Sequence, residues 1–285
     1  MRLAGPSKTA RGAAGYRAAH QTIDGATVFR DPFARLILEP EALAEADERA
    51  RDPASRGIRL FMAARSRFAE DCLAVAAAEG VRQVVVLGAG LDTFGLRNPY
   101  RELGLTVFEV DQPSTQAWKR ARLSAAKLRE PSELVWVPVD FETDALADKL
   151  REAGFEANRP AFYIWLGVTP YLQRDTVLSL LRLVACAPDA SIVFDYSEPL
   201  DNYPTERRPA MAAMAERVAS AGEPWITLLD PHEIHAALTA MGYAAIKDLG
   251  PGDVAARYYG PEHAQSRGGT GPHLVHARMK AGGAR

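Results

Sequence analysis

Two short stretches constrain this chain more than any other feature: Val84-Val85-Val86-Leu87-Gly88-Ala89-Gly90-Leu91-Asp92-Thr93 and Val107-Phe108-Glu109-Val110-Asp111. Four consecutive apolar residues before Gly88 predict a strand buried on both faces, as in a parallel sheet. Gly88 and Gly90 let the backbone turn sharply and admit a ligand against bare main chain. Asp111, 23 residues beyond Gly88, closes the next apolar strand with a carboxylate suited to the two hydroxyls of a ribose. The pattern predicts a site for a nucleoside-containing cofactor.

A dinucleotide fingerprint would place a third glycine three residues after the second, where helix and strand pack closely and pyrophosphate rests on the helix N-terminus. That position is Thr93, and Gly95 comes too late. A glycine turn with a downstream acid and no pyrophosphate seat suits S-adenosylmethionine, which has a ribose and no phosphate, better than a dinucleotide. On the pattern alone three alternatives stay open: an NAD-dependent oxidoreductase, a non-catalytic cofactor-binding protein, and a tight turn with no ligand.

From about residue 58 strand-like runs alternate with amphipathic helical runs, the signature of a doubly wound α/β sheet. Strands are expected at 82–87, 105–110, 134–138, 161–166, 190–196, 243–248 and 273–279. Helices are expected at 58–79, 113–129, 143–153, 174–186, 205–220 and 231–241. Gly80 and Gly242 read as helix C-terminal caps, and Asp31-Pro32 and Asp230-Pro231 as N-caps followed by a first-turn proline. Residues 1–57 stand outside the alternation, with short helices expected at 9–19 and 32–38 and a solvated charged stretch from Glu39 to Arg56. They read as a cap over the cofactor site, or as a packing appendage. The stretch Gly250 to Gly271, which holds Arg257-Tyr258-Tyr259, is expected to be irregular; loops of that length are often functional.

Composition narrows the partners. The 285 residues carry a net charge of −2, and the arginines are scattered rather than clustered, which argues against nucleic acid. No apolar run approaches the ~20 residues that cross a bilayer. Residues 1–14 have no apolar core of a secretory signal, so a soluble cytoplasmic protein is expected. Cys72 and Cys186 read as reduced core thiols. His232-Glu233-Ile234-His235 is not a His-Glu-x-x-His zinc helix, no Gly-x-Ser-x-Gly elbow occurs, and no Walker lysine follows the glycine turn. No metal site is expected.

Arg65 falls on the apolar stripe of the 58–79 helix with Ile58, Phe61, Met62, Cys72, Leu73 and Ala76. A guanidinium there needs a partner, either the carboxylate of a methionine moiety or an internal acid such as Asp92 or Glu70. Asp140-Phe141 ends the third strand, where a carboxylate beside a ring suits an adenine; the alternative is an N-cap for the following helix. The fourth strand breaks at Gly167 and Pro170, presenting Tyr171, and the fifth ends in Asp195-Tyr196. Tyr171, Asp195 and Arg257 are the candidates for acting on an acceptor.

These motifs converge on a known family. The chain resembles the leucine carboxyl methyltransferase-like S-adenosylmethionine-dependent O-methyltransferases, in particular their bacterial small-molecule branch. The resemblance rests on Ser7 to Ala10, Phe29 to Ala34, Arg65 to Phe68, Leu87 to Thr93, Phe108 to Pro113, Val137 to Phe141, Trp165 to Leu172, Asp248 to Pro251 and Ala256 to Tyr258. It implies a seven-stranded class I methyltransferase (Rossmann-like) sheet with an N-terminal helical cap: residues 1–57 as cap within the same unit, and 58–285 as the methyltransferase domain. By the same resemblance Arg65 grips the carboxylate of S-adenosyl-L-methionine, Gly88 and Gly90 line the turn, Asp111 with Gln112 holds the ribose, and Asp140 and Phe141 hold the adenine. Leu166 stands where eukaryotic relatives have a glutamate, and Ala10 where they have a lysine, so a small-molecule acceptor is expected in place of a protein C-terminus.

Overall fold

This computed structural model describes residues 6–141, 143–220, 222–260, 263 and 269–279, and the chain divides into two compact units, 1–156 and 157–285. The first unit holds α1 (Lys8–Ile23), α2 (Pro40–Arg51), α3 (Arg56–Ala78), β1 (Gln83–Leu87), α4 (Phe94–Arg97), β2 (Thr106–Asp111), α5 (Pro113–Ala125), β3 (Leu134–Pro138) and α6 (Leu146–Glu152). The second holds β4 (Ala161–Trp165), a 3₁₀ turn at Thr169–Tyr171, α7 (Arg174–Ala185), β5 (Ser191–Ser197), α8 (Arg208–Ser220), α9 (Pro231–Ala240), β6 (Tyr243–Leu249), α10 (Pro251–Tyr258) and β7 (Pro272–Met279).

All seven expected strands are present, with ends within one residue of those read from the sequence. Their order is β3-β2-β1-β4-β5-β7-β6. In the first unit β1, β2 and β3 are parallel, with Val85 opposite Phe108 and Phe108 opposite Val135. In the second, β4 and β5 are parallel and β7 runs antiparallel to both β5 and β6. Every residue of β1 and β4 is buried, which is why these strands read as unbroken apolar runs rather than alternating ones.

The helix ends behave as their sequences dictate. Gly80 and Gly242 take φ of +102° and +94°, and Asp230 accepts hydrogen bonds from the amides of His232 and Glu233 ahead of Pro231.

Four local expectations are corrected. Residues 32–38 form turns, not a helix. Pro40 forces Glu39 into an extended conformation (ψ 151°), and Ile37 and Leu38 are drawn into the core instead. The charged stretch 39–56 contains α2, whose buried residues are only Ala46 and Ala50; a Cβ on Gly15 of α1 would lie 2.8 Å from the Ala46 Cβ, so α1 and α2 pack closely where Gly15 meets Ala46. The stretch from Gly250 contains α10, packed on β6 and β7 through Val254 and Ala255; residues 261–262 and 264–268 of it lie outside the described residues. Finally, neither cysteine is in a disulfide and neither is a core thiol: Cys72 is half-buried and Cys186 is exposed at the end of α7. Among the described residues no helix is long and apolar enough to cross a membrane.

Candidate active site

The glycine turn sits at the carboxyl end of β1, where Gly88 and Gly90 take φ of +63° and +46°, conformations that residues with a Cβ rarely adopt. Asp111, the last residue of β2, clasps this turn: one carboxylate oxygen accepts the Gly90 amide at 2.5 Å and the other accepts its neighbour's, Gln112, at 2.7 Å. Burial pushes the Asp111 carboxyl above its usual range, against the opposing pull of these two amides. Each carboxylate oxygen carries two lone pairs, so the clasp leaves acceptor capacity for hydroxyl groups.

The structure also shows why no pyrophosphate seat follows. The element after the turn, α4, has four residues, too few to sum an appreciable macrodipole. Its first amides are already committed: Phe94 donates to Asp92 Oδ1 at 2.6 Å and Leu96 to the Thr93 carbonyl at 3.0 Å. The packing role of the missing third glycine has moved to Gly95, where a Cβ would lie 2.7 Å from Leu134 Cδ1 and 2.8 Å from Glu109 Oε1. Gly95 is thus not too late; it is where α4 approaches β2 and β3. Beneath it, Glu109 is fully buried, pushed up to about 7 by burial despite the Lys119 ammonium 2.6 Å from its Oε2.

The remaining donor-side candidates are in the same unit. Arg65 is half-buried on α3. Glu70, one of the internal partners weighed for it, is engaged with Arg97 at 2.5 Å. Asp140 follows β3 in a turn whose amide is accepted by Asp144 Oδ2 at 2.8 Å. Helix α6 begins only at Leu146 with Ala145 as its cap, so Asp140 does not cap it. Phe141 is half-buried beside it.

The acceptor candidates lie in the second unit. Asp195 near the end of β5 repeats the Asp111 arrangement: its Oδ1 accepts the Gly167 amide at 2.5 Å, with Gly167 at φ +73°, and its carbonyl accepts the Thr169 hydroxyl at 2.6 Å. It holds the bend after β4 on which Tyr171 is half-buried. Arg257 is exposed on α10, with its guanidinium beside the Tyr258 hydroxyl at 3.0 Å. A cluster that the sequence reading missed joins the ends of β5, β6 and β7. His273 lies between Asp248 Oδ1 (2.8 Å) and Glu198 Oε1 (3.1 Å), and Asp248 Oδ2 also meets the Tyr196 hydroxyl and His235 Nε2, both at 2.7 Å. Its hydrogen-bonded pairs are 13 to 75 residues apart, and no sequence spacing announces it. Among the described residues no group of His, Cys, Asp and Glu could hold a metal.

Residues 10–185 match the family model described as leucine carboxyl methyltransferase. The chain belongs to this family. A relative from Bacillus subtilis, named "Putative S-adenosyl-L-methionine-dependent methyltransferase YktD", is 33% identical over 219 residues, covering 76% of this chain and 72% of its own. A relative from Mycolicibacterium paratuberculosis, named "Putative S-adenosyl-L-methionine-dependent methyltransferase", is 35% identical over 219 residues, covering 70% of this chain and 67% of its own. Among solved structures, one named "putative methyltransferase" from Thermobifida fusca superposes with a TM-score of 0.62 at 18% identity, covering 98% and 97% of the two chains, which establishes the class I methyltransferase fold. In this fold the glycine turn and Asp111 lie at the carboxyl ends of the adjacent parallel strands β1 and β2.

Proposed function

We propose that this S-adenosylmethionine-dependent methyltransferase of the leucine carboxyl methyltransferase family methylates a carboxylate oxygen of a small molecule. The observation that carries the acceptor reading is the match of residues 10–185 to a family model described as leucine carboxyl methyltransferase, a name that specifies a carboxyl acceptor. Asp195 holds the Gly167 amide through Oδ1, and Asp248 and Glu198 hold His273, so each of these acids has a structural task. A phenol, with a pKa of about 10, needs a general base, whereas a carboxylate near 4 is already ionised at pH 7 and needs only orientation. Leu166, half-buried before the bend, adds an apolar surface there in place of a charge.

When bound, the donor supplies an electrophilic methyl on a sulfonium, with S-adenosylhomocysteine as leaving group. The chain's own task is positional: holding acceptor oxygen, methyl carbon and sulfur in line is worth an effective molarity of roughly 10⁵–10⁸ M. Asp111 and the glycine turn would hold the adenosyl half, with Gln112 beside Asp111, Asp140 and Phe141 beside the base, and Arg65 toward the methionine carboxylate. Tyr171 and Arg257 would orient the acceptor.

Two measurements test this. S-adenosylhomocysteine should stabilise the protein thermally and NAD should not; at about 100 times Kd the expected gain is ~2.7 kcal/mol. Incubation with methyl-labelled donor and a panel of carboxylic acids and phenols should give label that mild alkali releases as methanol, as from an ester. Alkali-stable label would instead mark an ether and favour the phenol reading, with Tyr171 and Arg257 assisting ionisation.

A further inference from the structure

Thr93 breaks the dinucleotide fingerprint, and the tertiary structure gives that break a purpose. Its hydroxyl donates to Asp31 Oδ2 at 2.7 Å, and the Arg17 guanidinium donates through Nε to the same oxygen at 2.8 Å. The far nitrogen of Arg17 reaches the Leu91 carbonyl at 2.5 Å. One buried ion pair supplied by the N-terminal segment therefore grips the glycine turn at two points, Leu91 and Thr93. A third point is steric: a Cβ on Gly90 would lie 3.5 Å from the Ala10 Cβ on α1.

The group is buried. Asp31 and Thr93 have no measurable exposure to speak of (1% and 0%), and Arg17 is 7% exposed. Arg97 of α4 stands 3.7 Å from Asp31 Oδ1, donates to the Thr93 hydroxyl at 3.1 Å, and pairs with Glu70 of α3. Two guanidinium groups thus meet Asp31 and Glu70, with the Asp92 carboxylate of the same turn acting on Arg97 and Glu70 as well. Burial alone would raise the Asp31 carboxyl; Arg17, Arg97 and the Thr93 hydroxyl outweigh it and hold it below its usual range. The pair is costly to bury and would be replaceable by apolar packing if stability were its only role.

We infer that Arg17, Asp31 and Thr93 are positioning residues that set the glycine turn for the methyl donor, making the N-terminal segment a working part of the cofactor site. This rests on the reading of the turn as the donor site. Arg17 is suited to the task because a planar guanidinium bridges a carboxylate and a carbonyl at once, which a lysine ammonium on a flexible stem does not do in the same geometry. Thr93 is suited because its hydroxyl donates to the acid while its backbone opens α4.

The test measures S-adenosylhomocysteine binding by titration calorimetry, with each protein held well below its unfolding temperature. Thr93→Val, which keeps the shape and loses the hydroxyl, and Arg17→Lys, which keeps the charge and loses the bridge, should each weaken binding about tenfold or more, equivalent to ~1.4 kcal/mol. Thr93→Ser should restore affinity to near the unsubstituted value, a rescue that a loss of bulk packing would not give. Either Thr93→Val or Arg17→Lys binding within twofold of the unsubstituted protein overturns the inference. Should Thr93→Val fail to fold, Arg17→Lys and Thr93→Ser decide it: tight binding by Arg17→Lys, or a Thr93→Ser protein that binds poorly, refutes it. If the unsubstituted protein itself does not bind S-adenosylhomocysteine, the donor-site reading fails instead.

Discussion

Replacing Gly95 by alanine sets two opposed effects against each other, and the structure decides between them. Alanine favours a helix over glycine by up to about 1 kcal/mol, but α4 is a single turn, so the gain falls at the low end, ~0.5 kcal/mol. Against it stands a Cβ placed 2.7 Å from Leu134 Cδ1 and 2.8 Å from Glu109 Oε1. Comfortable separation is ~3.5 Å or more, so each neighbour must retreat by roughly 0.7 Å. The leucine methyl can rotate. Glu109 cannot move freely, because its other oxygen is 2.6 Å from Lys119 and both side chains are 1% exposed. Overpacking of this kind costs about 1–3 kcal/mol, so a net loss of ~1–2 kcal/mol is expected. For a chain of this size that lowers Tm by roughly 2–6 °C, read by circular dichroism at fixed pH. Gly95→Val should fall further. An unchanged or raised Tm for Gly95→Ala would refute the assignment of helix–sheet packing to this glycine.

Asp111→Ala removes the acceptor of the Gly90 and Gln112 amides and the acceptor proposed for the ribose; hydrogen bonds to a charged group are worth about 1.5–3 kcal/mol each, so S-adenosylhomocysteine affinity should fall ~100-fold or more by calorimetry, with Asp111→Asn intermediate. Unchanged affinity in Asp111→Ala would remove the ribose assignment. Lys119→Met strands Glu109 in the core and should cost about 3–5 kcal/mol in urea unfolding, while Glu109→Leu with Lys119→Met should recover most of it. Glu109 is pushed from 4.5 up to about 7, so the folded state holds a proton that the unfolded state has lost, and its contribution to stability falls as pH rises across that window. His273 behaves with a different window. Burial would lower it, but Asp248 and Glu198 raise it above 6.5; its contribution is complete below 6.5 and is lost as pH climbs through the raised value. Asp248, held below 3.8, loses its contribution only as pH falls beneath that. His273→Gln should therefore flatten the alkaline limb of a Tm–pH profile, at most ~1.4 kcal/mol per pH unit, and an unaltered limb would refute the role of His273 as the cation between Asp248 and Glu198.

The sequence alone determined the strands, the glycine turn and the family, because each is written in near neighbours. An apolar run of four, two glycines and an acid one strand on need no distant contact to be recognised. Helices with broad apolar stripes, such as α7, were legible for the same reason, whereas α2 was not, since its two buried alanines carry little transfer energy and become a helix face only once Gly15 lies against Ala46. The tertiary structure alone decided what the departures from pattern mean. Thr93 and Gly95 read as defects in a fingerprint until Asp31, 62 residues before Thr93, and Leu134, far beyond Gly95, are seen to meet them. Asp195 likewise stood out in sequence only as an acid at a strand end, and the fold shows it accepting the Gly167 amide, 28 residues before it. A buried charge or a crowded glycine takes its role from partners that the fold brings within 3 Å, and sequence separation says nothing about which partners those are.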